Sequence, residues 1–172
     1  MFNVNDKVVY GHNGVCTIVD IKPLQFDSHS DQSSKYFYLH PIGSKDDHVI
    51  YVPVEKVMGS TCVMRNLLCG KELESVVDNI PNIPPLCLKN EKNRREEYKT
   101  ALLTLEPQKC IALIKAVKNR RRSCTTQRKN ISETDLEYEK LATKFICLEL
   151  SEVLSITYEE AECRVLDKID FE

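Results

Sequence analysis

The stretch Phe2-Asn-Val-Asn-Asp-Lys-Val-Val-Tyr-Gly-His-Asn-Gly-Val-Cys-Thr-Ile-Val-Asp-Ile21 decides how the rest of the chain is read. Val8-Val9-Tyr10 suits a pleated, half-buried surface, Gly11 to Gly14 supplies turn residues, and Val15 to Ile21 reads as the returning strand. Two further apolar runs follow, Tyr36 to Ile42 and His48 to Val54, separated by the polar Gly43-Ser-Lys-Asp-Asp47. The polar segment from Asp27 to Lys35 reads as a hairpin tip or loop. Residues 1–57 therefore predict a small curled sheet or barrel of short strands. A unit of that size buries only a marginal core and should lean on a neighbour or a partner.

Beyond residue 60 the apolar period changes from two to helical. Leu73, Val76, Val77 and Ile80 share one face, and Ile80-Pro-Asn-Ile-Pro-Pro85 stops that helix. Asn90 to Leu105 reads as the next helix, with Pro107 opening another. In the latter, Cys110, Leu113, Ile114 and Val117 form the expected buried stripe, with Lys115, Lys118 and Arg122 on the opposite side. Ser132-Glu-Thr-Asp135 and Thr157-Tyr-Glu-Glu160 read as two capping boxes, the first flanked by Ile131 and Leu136 at staple positions. A long amphipathic helix through Leu141, Phe145 and Leu148 runs between them. The expected organisation is α+β: a β unit at 1–57, a linker at 58–70 containing Gly59-Ser60-Thr61, and an all-α bundle of about five helices at 71–172.

The net charge of −2 conceals a strong asymmetry. Residues 89–130 hold thirteen Lys/Arg against four Glu, whereas residues 131–172 hold four against twelve Asp/Glu. Such a basic block suits a polyanion-facing surface; alternatively, the two blocks pack as neighbouring helices and neutralise each other. The eight cysteines include no C-x-x-C pair, so neither a metal nor a cofactor is expected, and most thiols are expected to be reduced and buried. Cys16 with His12 or His40 is a candidate thiol–imidazole pair, since His12 and Cys16 belong to a turn and a strand that could bring them together, but no nucleophile-elbow pattern accompanies it, and no enzyme is expected. No apolar run approaches the ~20 residues of a membrane span, and the opening lacks a signal-peptide pattern, so a cytoplasmic protein is expected.

Two phrases carry a family resemblance. Asn5-Asp-Lys-Val-Val-Tyr10 with Gly14-Val15, and Tyr51-Val-Pro-Val54, resemble the opening and closing phrases of the N-terminal RNA polymerase-interacting domain of the CarD/CdnL family of bacterial transcription regulators, a domain also found in transcription-repair coupling factor. The helical half is similar to the C-terminal domain of that family through Tyr98-Lys-Thr-Ala-Leu-Leu-Thr-Leu105, Cys110 to Arg122, Ile131-Ser-Glu-Thr-Asp-Leu136 and Thr157-Tyr-Glu-Glu-Ala161. The chain has no G-x-x-x-x-G-K-[ST] phosphate loop, which separates it from the coupling factor itself.

The resemblance implies a Tudor-like β-barrel that docks on the polymerase β subunit by strand addition, with Leu24, Ile50 and Tyr51 as the corresponding docking positions. It implies a helical domain that contacts promoter DNA sequence-tolerantly at the upstream edge of the bubble. Lys92, Asn93, Arg94, Arg95, Lys99, Lys118 and Arg122 are the candidates for that contact, which would make the protein nucleoid-associated. Better-studied members insert a tryptophan wedge into the minor groove. This chain has no tryptophan, and Arg94 falls at the wedge position. A divergent relative whose helical half binds a protein instead of DNA is the alternative. Oligomeric state is left open by the sequence.

Overall fold

In a computed structural model of the chain, residues 2–24, 34–44, 48–58, 64–88 and 91–170 are described. The expected loop at 27–33, the acidic turn at 45–47, Gly59-Ser60-Thr61, Cys62 and the helix start at Asn90 lie outside them. The chain forms two compact units, Met1–Leu67 and Leu68–Glu172.

The first unit is an antiparallel sheet of five strands in the order β4-β3-β2-β1-β5, comprising β1 (Lys7–Tyr10), β2 (Gly14–Pro23), β3 (Lys35–Pro41), β4 (Ile50–Pro53) and β5 (Met64–Asn66). The opening hairpin is as the sequence predicts, with one 3-10 turn at Gly11–Asn13 between β1 and β2. Gly14 closes that turn at φ 70° and ψ −137°, a conformation open in practice only to glycine. Asn5, at φ 72°, donates its N–H to the Ile18 carbonyl, and the Asp6 carbonyl accepts from Ile18, which fastens the N-terminus across β2.

Alternation sorts the faces. Val8, Cys16, Ile18, Phe37, Leu39, Val52 and Met64 form one buried cluster, joined by Val57 of the short helix α1 (Val54–Met58). The β2–β3 register skips Val19 between Ile18↔Leu39 and Asp20↔Tyr38. This bulge leaves the Val19 side chain exposed and bends β2.

Three expectations for this unit change. The sheet does not close into a barrel among the described residues: β4 and β5 end it on opposite sides. Both are short, and β4 ends in Pro53, which has no N–H for a ladder, before the chain turns into α1. The expected strand from His48 to Val54 is thus shorter than read. Residues 64–66 of the expected linker instead form β5, which pairs with β1 from Val8↔Asn66 to Tyr10↔Met64.

The second unit packs α2 (Gly70–Asp78), α3 (Arg94–Leu103), α4 (Pro107–Thr126), α5 (Glu133–Leu154) and α6 (Tyr158–Asp170) around one core. Ser132 caps α5 by accepting the Asp135 N–H. Thr157 and Glu160 exchange hydrogen bonds at the start of α6, as the capping-box reading requires. Leu136, read as half of a staple, is instead largely exposed. Every residue of α4 from Cys110 to Val117 is buried, because this helix packs against both α3 and α5. Lys115 is therefore not on a solvent face: it is 3% exposed, and its Nζ donates to the Pro81 carbonyl at 3.3 Å.

Candidate functional site

The first surface is built from the β2–β3–β4 side of the sheet. Phe37, Leu39 and Val52 point into the core, so Tyr36, Tyr38, His40, Tyr51 and Pro53 take the opposite face. Tyr51, 44% exposed, lies directly across from Tyr38, and their rings meet edge-to-face with centroids 4.8 Å apart. Lys22 Nζ stands 4.8 Å over the Tyr38 ring and forms an ion pair with Asp20 at 2.7 Å. The Lys22 ammonium, with help from the Ile21 N–H, holds the Asp20 carboxyl below its usual range. The result is an aromatic, weakly charged face beside the edge strand β4.

The three predicted docking residues do not form one cluster. Ile50 and Tyr51 are consecutive on β4 and therefore face opposite ways. Ile50 packs against the core cluster while Tyr51 looks outward. Leu24 follows the end of β2, which β3 separates from β4.

The second surface lies in the helical unit. Lys92, Asn93, Arg95 and Lys99 are exposed on the 3-10 turn at Glu91–Asn93 and on α3; Arg95 and Lys99, one turn apart, share a face. Arg122 is exposed and Lys118 half-buried on α4.

Arg94 is turned inward. Its Nε lies 2.8 Å from the Asp135 carboxylate, and its Nη2 donates to Ser132 Oγ at 3.0 Å. Asp135 is only 1% exposed and also receives the Tyr98 hydroxyl at 3.0 Å, the Ser132 hydroxyl at 2.8 Å and Arg120 Nε at 3.4 Å. Burial alone would raise the Asp135 pKa. The Ser132 and Tyr98 hydroxyls and the Arg94 and Arg120 charges outweigh it and lower the value. Burial, reinforced by the neighbouring carboxylate, pushes the Tyr98 phenol far up. This cluster ties α3, α4 and the start of α5 together. The sequence showed Asp135 only as part of a cap; the i, i+4 spacing of Arg94 and Tyr98 was the available signal that both face the same partner.

The thiols differ in burial. Among the described cysteines, Cys16, Cys110 and Cys147 are buried, Cys124 is half-buried, and Cys69, Cys87 and Cys163 are exposed, so fewer are buried than expected. Burial, helped by Glu162, pushes the Cys147 thiol up to about 12. The register puts Cys16 opposite Pro41 on the inner face and His40 opposite Thr17 on the outer one, while His12 is exposed in the turn. No group of three or more metal-ligating side chains occurs among the described residues, and no described helix is long and apolar enough to cross a membrane.

With that geometry in hand, the comparison with known families is specific: residues 2–65 match the CarD-like/TRCF RID domain. The N-terminal unit is similar to that domain. The match takes in the opening hairpin, the aromatic face, β4 and the first two residues of β5. No curated protein matches the chain.

Proposed function

We propose that this protein is a non-enzymatic, cytoplasmic transcription regulator. Its RID domain docks on the β subunit of bacterial RNA polymerase through the edge strand β4, and its helical unit contacts promoter DNA sequence-tolerantly near the upstream edge of the bubble, modulating open-complex stability. The observation that carries the reading is the coincidence of the RID match with an edge strand bearing an outward-facing Tyr51. An edge strand takes an added strand through main-chain hydrogen bonds, and the flanking side chains select the partner. Tyr51 and the adjoining Tyr38 provide an apolar, aromatic border at that edge. The DNA half of the proposal rests on the exposed Lys92, Arg95, Lys99 and Arg122, with Asn93 and Lys118 beside them. Arg94 leaves this set as a contact residue, because its guanidinium is engaged with Asp135.

A second reading has its own support. Three cations of the basic block, Arg94, Arg120 and Arg121, pair with Asp135 or Glu139 of α5, which reduces the charge available to a polyanion. In that case the helical unit binds a protein and the polymerase dock remains. The deciding experiment measures binding of the purified protein to a polymerase β-subunit fragment and, separately, protection of promoter DNA in the polymerase complex. Tyr51→Asp should abolish the first. Ile50→Asp is unsuitable as a probe, since Ile50 packs against the core. Binding that survives Tyr51→Asp unchanged refutes the β4 dock. Polymerase binding without any added DNA protection favours the second reading.

A further inference from the structure

Helices α2, α5 and α6 border a cleft of about 650 Å³ in the helical unit, and none of its lining residues comes from α3 or α4. That volume lies within the roughly 300–1,000 Å³ of small-molecule sites. Its two walls repeat one spacing. α2 presents Glu74, Val77 and Asp78, and α6 presents Arg164, Asp167 and Lys168, each set at i, i+3 and i+4 and so on one face of its helix. Between the walls α5 supplies Leu150 and Leu154. Gly70, which opens α2, sits against Leu154 at the end of α5, and α6 begins soon after at Tyr158. The two walls therefore start from the same end of the cleft.

The walls are joined at the other end. Lys168 Nζ lies 2.6 Å from an Asp78 carboxylate oxygen, which ties the later turns of α6 and α2 together. One turn earlier on each wall stand Arg164 and Glu74, opposite in charge like that pair, yet they do not meet. Arg164, Glu74 and Asp167 form no ion pair among the described residues, and all three side chains are exposed. The base beneath them is apolar: Val77 and Leu150 are buried and Leu154 is half-buried. An isolated surface charge needs no ligand. Here one guanidinium and two carboxylates stand on facing walls over an apolar base, with the opposite charges too far apart to pair across the cleft.

We propose that this cleft binds a small zwitterion with an apolar body, of the size of a dipeptide with free termini. Arg164 takes its carboxylate, which a planar guanidinium fits bidentately. Glu74 takes its ammonium, with Asp167 as a second carboxylate on α6. Its apolar side chains cover Leu154 and Val77. Two extended residues reach about 7 Å, enough to bridge charged groups that lie beyond ion-pair distance. The lining charges select against other occupants. A polyanion meets three carboxylates, of which Lys168 neutralises only that of Asp78. A fatty acid satisfies Arg164 but leaves Glu74 and Asp167 uncompensated. A metal ion lacks its ligands, since no group of three or more metal-ligating side chains occurs among the described residues. This site depends neither on the polymerase dock nor on a DNA contact.

The test is isothermal titration calorimetry of the full chain with leucyl-leucine, N-acetyl-leucyl-leucine and leucyl-leucine amide. The free dipeptide should bind, and each blocked form should bind about 10- to 100-fold more weakly, as expected for losing a hydrogen bond to a charged group. Arg164→Gln should weaken the free dipeptide by a similar factor and remove the further loss caused by amidation. Glu74→Gln/Asp167→Asn should do the same for N-acetylation. Both variants should keep the wild-type unfolding midpoint, because the three side chains are exposed. Equal binding of free and blocked dipeptides, or wild-type affinity in Arg164→Gln, overturns the zwitterion as the ligand. No binding of leucyl-leucine to wild type up to about 1 mM overturns the site itself.

Discussion

Replacing Asp135 tests whether the helical unit depends on one buried carboxylate. Asp135→Ala strips Arg94 and Arg120 of their shared counter-charge and leaves the Tyr98 and Ser132 hydroxyls without their acceptor. Removing one partner of a buried ion pair costs about 3–5 kcal/mol, because the remaining charge stays desolvated. Here Arg94 and Arg120 keep 18% and 27% side-chain exposure and regain some water, so the lower end, about 3 kcal/mol, is expected. For a unit of this size that is a fall in Tm of roughly 12–20 °C. Asp135→Asn keeps the volume and one acceptor oxygen and should cost less. The wild type also has a pH signature. Its folded Asp135 pKa is depressed, so the contribution is complete above the unfolded carboxylate value of about 3.9 and is lost as pH falls through the folded value. The assay is urea unfolding followed by helical circular dichroism, at neutral pH and through the acid range. A destabilisation below about 0.5 kcal/mol for Asp135→Ala, or an unchanged acid limb in Asp135→Asn, refutes the reasoning.

Three further outcomes are expected. Gly14→Ala forces a side chain into φ 70°, ψ −137° and should destabilise the sheet by about 1–3 kcal/mol, read as a lower urea midpoint. Gly70→Ala, at the first residue of α2, places a Cβ in ordinary contact 3.5 Å from Leu154 Cδ2 and should stabilise by about 0.4–1 kcal/mol in the same assay. In native protein, iodoacetamide followed by peptide mass spectrometry should label Cys69, Cys87 and Cys163 readily but spare Cys16, Cys110 and Cys147 until denaturant is added.

What is legible in the sequence is local. Ser132 and Thr157 announce α5 and α6 because their caps close within four residues: Ser132 accepts the Asp135 N–H, and Thr157 and Glu160 complete a reciprocal capping box. The opening hairpin is legible because glycine and β-branched residues specify it in place. Met64-Arg-Asn66 is too short to show alternation, and it is a strand only because Val8, Val9 and Tyr10 lie opposite it. Lys115 departs from its expected place for a related reason. A helical period identifies one buried stripe, but α4 has neighbours around its whole circumference, and a lysine there lies along apolar surface until it meets the Pro81 carbonyl. At the candidate site, the exposed cations are legible as a charge block. Their division between α5 and solvent is not, because Asp135 and Glu139 are brought beside them only by packing.

That division bears on how a chain without tryptophan would act at a promoter. The described exposed side chains from Lys92 to Thr100 are polar or charged, so the start of α3 presents no apolar wedge. Contacts made by lysine and arginine alone go to phosphates and carry no sequence information, with dissociation constants of about 10⁻⁴ to 10⁻⁶ M at physiological salt. Free in solution, such a contact is too weak and too indiscriminate to choose a promoter. Held beside DNA by a second attachment, it experiences an effective concentration of order 1 mM, and a 10⁻⁴ M contact is then about 90% occupied. On the proposed reading, the polymerase dock at β4 therefore supplies location and occupancy together, while the helical unit supplies cations in a fixed arrangement. Asp135 engages Arg94 and Arg120 in joining three helices, so on the same reading neither is offered to DNA. A smaller set of exposed cations remains, and that suits a contact meant to form only where polymerase already sits.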